Sequence, residues 1–174
     1  ADEVIVDELR EEIQQYFRIE PTVKGFLLPR SLVFLGKLLR FGGQYKSPVL
    51  RLFNRRYGNF NDNRVHEGIE LEGKTITLKN HMLHYSYESI KEYLDRFNAY
   101  TSAGAAELHE RGKKSAKIHI FVRLPIRFFG IYLFKGSILD GYQGFLWALF
   151  SAFYPVVKYA KLQEMYDQEK ENRP

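Results

Sequence analysis

Near Tyr85 the chain stops being broken every few residues and takes on a helical period, and this change sets what it can fold into. Before it, Pro21, Pro29, Gly42-Gly43, Gly58 and Gly73 cut the sequence into short apolar runs, the pattern of strands and turns. After it, apolar residues recur at helical spacing over long stretches. The expected order is mixed α/β first, then helices only.

Leu9, Ile13 and Tyr16/Phe17 predict a helix over Asp7–Phe17 with Asp7 as its cap, stopped by Pro21. Strands are expected at Val23–Leu28, ended by Pro29, and at Val49–Phe53. Ile69–Leu71 and Thr75–Leu78 flank Glu72-Gly73-Lys74 like the arms of a hairpin. Ser86 is positioned to cap a long helix whose apolar side is Ile90, Leu94, Phe97, Thr101 and Leu108, closed by Gly112. A further helix starts near Gly141. These signals divide the chain into an α/β part (1–85), a long helix (86–112), a basic aromatic helical region (113–166) and a polar tail (167–174).

The 174 residues suffice for one ordinary domain with a real core. The absence of cysteine excludes a disulfide framework, thiolate zinc sites and a cysteine nucleophile. Net charge is +5, unevenly placed. The first 110 residues are nearly balanced, with 15 basic and 16 acidic side chains. Arg111–Lys161 holds 9 basic residues against Asp140 alone, and the remainder is acidic. A basic block that is also rich in Phe, Tyr, Leu and Ile calls for an anionic partner: phosphate, nucleic acid or lipid headgroups. The longest charge-free run, Gly141–Val157, has 17 residues, short of the roughly 20 a bilayer span needs. An interfacial helix and an ordinary buried one both fit. The start, Ala1-Asp2-Glu3, has no initiator Met and no apolar leader, so a fragment whose true start lies upstream is expected.

Three segments could carry chemistry. Asp2-Glu3 offers hard oxygens for Mg²⁺ or Mn²⁺, although a solvated strand end accounts for the pair more simply. Asn61-Asp62-Asn63-Arg64-Val65-His66-Glu67 gathers a carboxylate, an imidazole and a guanidinium. Glu67 could take a proton from a hydroxyl while Arg64 holds a phosphate; a polar edge strand with a surface ion pair is the alternative. His81 and His84 are possible metal ligands or structural histidines. No His-Glu-x-x-His, phosphate-loop or Gly-x-Ser-x-Gly pattern occurs.

In order, Ala1-Asp2-Glu3, Pro29-Arg30, Phe34-Leu35-Gly36, Gly42-Gly43-x-Tyr45, Leu50-Arg51-Leu52-Phe53, Arg64-Val65-His66-Glu67, His84-Tyr85-Ser86, Phe128-Phe129-Gly130-x-Tyr132 and Leu139-Asp140-Gly141-x-x-Gly144 form a series. Over Ala1–Lys161 it resembles the C-terminal two thirds of family 2 glycosyltransferases of the lipopolysaccharide-core β-1,4-glucosyltransferase type. The resemblance implies a GT-A-type, Rossmann-like α/β core followed by a helical, membrane-facing extension, with the nucleotide-binding half outside this chain. That family has Asp-Ala-Asp-Glu at a strand end; Ala1, Asp2 and Glu3 match it and the first Asp is absent. Asp2 would then be a metal ligand, His84 a further metal or diphosphate contact, and Glu67 the base. Arg64, His66, Arg51 and Tyr45 would bind substrate, while Asn63 stands where the family often has a second Arg.

The implied reaction is inverting transfer of a hexose, with glucose expected, from a UDP-sugar to a lipid-linked or lipopolysaccharide-core acceptor, assisted by Mg or Mn. The expected location is peripheral, on the cytoplasmic face of the inner membrane. Arg123, Arg127, Lys135, Lys158 and Lys161 would meet headgroups, with Phe128, Phe129 and Trp147 at the interface. Nucleic acid is not an expected partner, because the block's charges alternate with aromatic pairs rather than forming a solvated stripe. A non-catalytic membrane-binding module using 111–161 is the competing reading, and the isolated fragment is expected to be inactive.

Overall fold

A computed structural model describes residues 2–19, 22–60, 68–113 and 117–171. The chain divides into two compact units, Ala1–Ser86 and Tyr87–Pro174.

The first unit is mixed α/β, an organisation compatible with a Rossmann-like core. It opens with β1 (Glu3–Ile5) and α1 (Asp7–Ile19). Then come β2 (Gly25–Phe34), β3 (Lys37–Leu38), β4 (Ser47–Phe53), β5 (Gly58–Phe60), β6 (Ile69–Leu71), β7 (Thr75–Thr77) and β8 (Met82–Tyr87). One six-stranded sheet runs β1-β8-β2-β3, with β4 and β7 also paired to β2; β5 and β6 form a separate pair. Helix α1 turns Leu9 into the core with Ile13 and Tyr16 against it, where they meet Val23, Phe26, Leu28, Leu78 and Met82. Leu9 is fully buried, and a buried aliphatic side chain of this size contributes about 1.5–3 kcal/mol.

Three expectations change here. Pro29 does not end β2, because it lies opposite Pro48 of β4. Antiparallel partners exchange either two hydrogen bonds or none, so a facing pair of prolines takes the second kind and costs that ladder nothing. Residues Ile69–Leu71 and Thr75–Thr77 are strands but not a hairpin. β6 pairs with β5, whereas β7 runs parallel to β2. The Lys74 carbonyl accepts from Lys24 N–H at 2.9 Å, which turns the connection toward β2. Ser86 caps nothing; it is a buried residue of β8.

A carboxylate that sequence reasoning passed over also stabilises this unit. Glu12 of α1 is buried and accepts the backbone N–H groups of Lys79 and Asn80 at 2.8 and 2.9 Å. One carboxylate thus satisfies two donors in the turn before β8 and ties α1 to it.

The second unit is helical: α2 (Ile90–Glu110), α3 (Lys117–Phe129), a π turn (Gly130–Phe134), a 3₁₀ turn (Ser137–Asp140) and α4 (Gly141–Glu171). Its true N-cap is Ser89, whose hydroxyl accepts Glu92 N–H at 3.1 Å while the Glu92 carboxylate accepts Glu88 N–H at 3.0 Å. The inward face of α2 is Tyr93, Thr101 and Ala105, and Leu94 is exposed. Tyr93 stacks on Phe150 of α4 with centroids 4.8 Å apart. Helix α4 continues past the buried Pro155.

The entry to α4 is tight. Ser137 Oγ donates to the Gly144 carbonyl at 2.9 Å. A Cβ on Gly144 would lie 1.9 Å from the Ser137 carbonyl oxygen. Gly136 and Gly141 both take positive φ, 70° and 66°, a region glycine enters without steric cost. The Asp140-Gly141-x-x-Gly144 pattern is therefore a device for a close turn.

Candidate functional site

In the first unit, charge gathers where β1 meets β8, β2 and β4. Strand β1 lies antiparallel to β8 with Glu3 opposite His84, and Tyr85 N–H donates to the Asp2 carbonyl at 2.7 Å. Asp2 Oδ2 is 3.2 Å from His84 Nε2, and the Ser86 hydroxyl lies 2.9 Å from His84 Nδ1 and 2.8 Å from Nε2. Asp2 and Ser86 thus hold the imidazole from two sides, and the Ser86 oxygen, close to both ring nitrogens, selects neither tautomer. The Glu3 carboxylate receives Arg51 Nε and Nη2, each at 3.0 Å, and Arg30 Nη1 at 3.3 Å.

Arg51 reaches Glu3 because of a bulge. Phe26 faces Leu52 and Leu27 faces Leu50, which leaves Arg51 as the extra residue of β4. A bulge bends its strand and re-aims the side chain it carries. The resulting fork on a carboxylate is the strongest ion-pair geometry available to arginine.

Burial would raise the Glu3 carboxyl, but the guanidiniums of Arg51 and Arg30 override it and hold the group below the ordinary glutamate value. Arg51 moves further up through its bond to Glu3. His84 is lowered, first by burial and then by the charge of Arg30, against the opposing pull of Asp2. The ring is thus biased to the neutral form, the one that can offer a lone pair to a metal.

His81 lies elsewhere, edge-on to Tyr45 with ring centroids 5.5 Å apart. Its Nδ1 is buried without a partner. Burial lowers its pKa, the charges of Lys46 and Arg40 add to the effect, and Glu8 opposes it. A histidine whose folded pKa is depressed takes up a proton on unfolding, so it costs stability as pH falls below about 6.5. In metal-free protein, His84 acts in the same direction. The melting temperature should therefore be lower at pH 5.5 than at pH 7.5, with a smaller difference in His81→Gln. Identical pH profiles for the two proteins would refute the assignment.

Of the residues singled out by sequence, Asp2, His84 and Arg51 come together. Tyr45 packs on His81 instead. Arg64, His66 and Glu67 lie outside the described residues. Sequence reasoning missed Glu3 and Arg30 as one unit, since 27 positions separate them and no short motif signals the pairing. Among the described residues, no group of three or more His, Asp or Glu side chains could hold a metal ion. Asp2 and His84 are two donors, against the six ligands that Mg²⁺ favours.

Within the second unit, Lys161 Nζ is spent on α2. It lies 2.7–3.0 Å from Asn98 O and Oδ1, Thr101 Oγ1 and Ser102 Oγ. Phe128 packs on Tyr132 and Phe145. Arg123 lies over the Tyr159 ring at 4.8 Å, and Lys158 lies 5.4 Å from the same ring. Arg127, Phe129 and Lys135 are exposed, and Trp147 is half-buried. No helix among the described residues is long and apolar enough to cross a membrane.

Compared with known proteins, the chain is 26% identical over 182 residues to an uncharacterized glycosyltransferase of Rickettsia typhi, an alignment covering 95% of this chain and 60% of that protein. It is 26% identical over 181 residues to one of Rickettsia felis, covering 94% and 62%. It is also 26% identical over 166 residues to the lipopolysaccharide core biosynthesis glycosyltransferase LpsC of Rhizobium meliloti, again covering 94% and 62%. The chain thus spans about three fifths of the length of the curated relatives it matches. No protein-family model matches. No solved structure matches. At this level of identity, the similarity supports a glycosyltransferase in general terms.

Proposed function

We propose that this chain is the acceptor-side part of an inverting, metal-dependent family 2 glycosyltransferase. It would transfer a hexose, with glucose the first candidate, from a UDP-sugar to a lipid-linked or lipopolysaccharide-core acceptor on the cytoplasmic face of the inner membrane. The observation that carries the reading is similarity to glycosyltransferases along 94–95% of the chain, one of them named for lipopolysaccharide core biosynthesis.

The cluster around β1 suits such a reaction. Asp2, Glu3, Arg30, Arg51 and a neutral His84 sum to no net charge, so they offer a diphosphate no net positive charge without a further cation. Asp2 supplies an oxygen of the kind Mg²⁺ or Mn²⁺ prefers, and a nitrogen donor such as His84 fits Mn²⁺ better than Mg²⁺. Bound there, the cation would supply positive charge to stabilise the departing diphosphate. His84 holds one Asp2 oxygen and orients the carboxylate, the role that bonded neighbours of metal ligands commonly play. Glu3 keeps Arg51 and Arg30 in place, and Arg51 presents its guanidinium at the rim. In this reading Glu67 removes the proton from the acceptor hydroxyl as it attacks the anomeric carbon, and Arg64, His66 and Tyr45 contact substrate.

The test is donor binding by the full-length protein, measured calorimetrically with UDP-glucose and Mn²⁺ or Mg²⁺. Asp2→Asn should weaken metal-dependent binding by roughly tenfold or more, as loss of a ligand or its orienting partner does. His84→Ala should have a smaller effect. Unchanged affinity and metal dependence in Asp2→Asn would leave Asp2 a strand-end carboxylate. Absence of any nucleotide-sugar binding in the wild-type protein would favour the non-catalytic membrane module.

A further inference from the structure

We infer that the second unit rests on an anionic lipid bilayer through one face, shared by α3, the two turns after it and the first half of α4. This inference is independent of sugar transfer. On α3, at 100° per residue, Phe121, Pro125, Phe129, Val122 and Ile126 fall within an arc of about 140°, and all five are exposed. Arg123 and Arg127 occupy the next arc, and the less exposed Leu124 and Phe128 the remaining one. The helix thus has an inward side, a cationic flank and a wide apolar side that nothing in the unit covers.

The apolar side continues into the turns. Phe134 is 89% exposed, Leu139 69% and Tyr142 68%. Along α4, Tyr142, Phe145, Leu149 and Phe153 recur on one stripe at spacings of three and four; Tyr142 and Leu149 are its open members, while Phe145 also packs on Phe128 and Phe153 on Phe97 of α2. Past Lys161 the helix becomes acidic, with Glu164, Asp167, Glu169 and Glu171. Glu164 lies about 33 Å along the axis from Tyr142 at 1.5 Å per residue. An apolar, cationic end and a distant acidic end give α4 a direction, the first toward lipid; Phe121 shares a groove with Glu164, Asp167 and Glu171 and so marks the edge of the face rather than part of it.

Charge selects the occupant. Across Arg111–Lys161 the single acidic residue, Asp140, is buried, so the exposed charges of the block are all positive. A second copy meeting this face across a two-fold axis would set arginines against arginines. Anionic headgroups complement the cations, while the acyl boundary takes up the aromatic and aliphatic side chains. Lys161 and Phe150, which face α2, take no part; Arg127 and Lys135 do. With no helix suited to crossing among the described residues, the unit lies on the bilayer.

The test is flotation of the full chain with phosphatidylcholine vesicles, with and without phosphatidylglycerol. Binding should need phosphatidylglycerol and fall steeply from low to high salt as exposed charges are screened. The double variant Phe134→Ser/Leu139→Ser should bind at least roughly tenfold more weakly. Arg127→Gln/Lys135→Gln should show reduced binding at low salt only, an arm that stands whether or not the first variant folds. Four results would overturn the inference: no vesicle binding at low salt, equal binding without anionic lipid, tighter binding to mixed-sequence DNA than to vesicles, and resistance to alkaline carbonate, which marks a true span. So would sedimentation equilibrium showing a dimer that Phe134→Ser dissociates in a chain that ignores vesicles.

Discussion

Gly144→Ala should cost the helical unit about 3 kcal/mol or more, at or beyond the upper end for overpacking. The added Cβ would lie 1.9 Å from the Ser137 carbonyl oxygen and 2.7 Å from Asp140 Cβ. The first clash is with backbone, so no rotamer change relieves it. The 3₁₀ turn must move away from α4, breaking the 2.9 Å bond from Ser137 Oγ to the Gly144 carbonyl. For a unit of this size the melting temperature should fall by on the order of 10 °C or more. Gly130→Ala is the control. A Cβ there meets nothing within 4 Å and its φ is not positive, so stability should stay level or rise by up to about 1 kcal/mol from the gain in helix propensity. Equal melting of Gly144→Ala and wild type would mean that the turn and the helix do not approach as described.

Glu67→Gln in the full-length enzyme should leave donor affinity near wild type and reduce kcat by roughly 10²–10⁴-fold, the usual contribution of a positioned general base. The amide keeps the shape of the carboxylate but cannot accept the acceptor hydroxyl's proton. A drop in kcat with little change in donor affinity marks a group that acts in the transition state. A variant that turns over at the wild-type rate would remove Glu67 from the reaction and move the search for the base to another carboxylate.

Local signals in the sequence were reliable where one face of one element decides the outcome. Leu9 and Ile13 have the helical spacing that buries them, and Gly112 ends α2 with the positive φ expected of it. The failures come from partners distant in the chain. Pro29 reads as a strand end until Pro48 is seen opposite it. Ile69–Leu71 and Thr75–Thr77 look like a hairpin because the residues between them are turn formers, yet each strand finds a better neighbour elsewhere. Leu94 fits the apolar period of α2, but the aromatic stacking of Tyr93 on Phe150 rotates the buried face by one position.

The candidate site divides in the same way. Asp2 and His84 are visible through the family-like order of their segments. The Glu3–Arg30–Arg51 group depends on register between strands, which no window of sequence contains. The basic block is visible in composition alone, but which of its cations face outward is not. Lys158 and Lys161 lie one turn apart, yet Lys161 bonds to Asn98 and Ser102 of α2 whereas Lys158 lies over the rings of Tyr154 and Tyr159.

The extra residue in β4 has one more consequence. Val49 and Leu52 both pack on the same core, although residues three apart on a regular strand point to opposite faces. The bulge at Arg51 corrects the count, so the core is read from the strand as though position 51 were not there. Arg51 is thus supernumerary to the hydrophobic pattern and belongs wholly to the charged cluster. At this position the interior and the chemistry answer to separate constraints, and sequence change can retune one without disturbing the other.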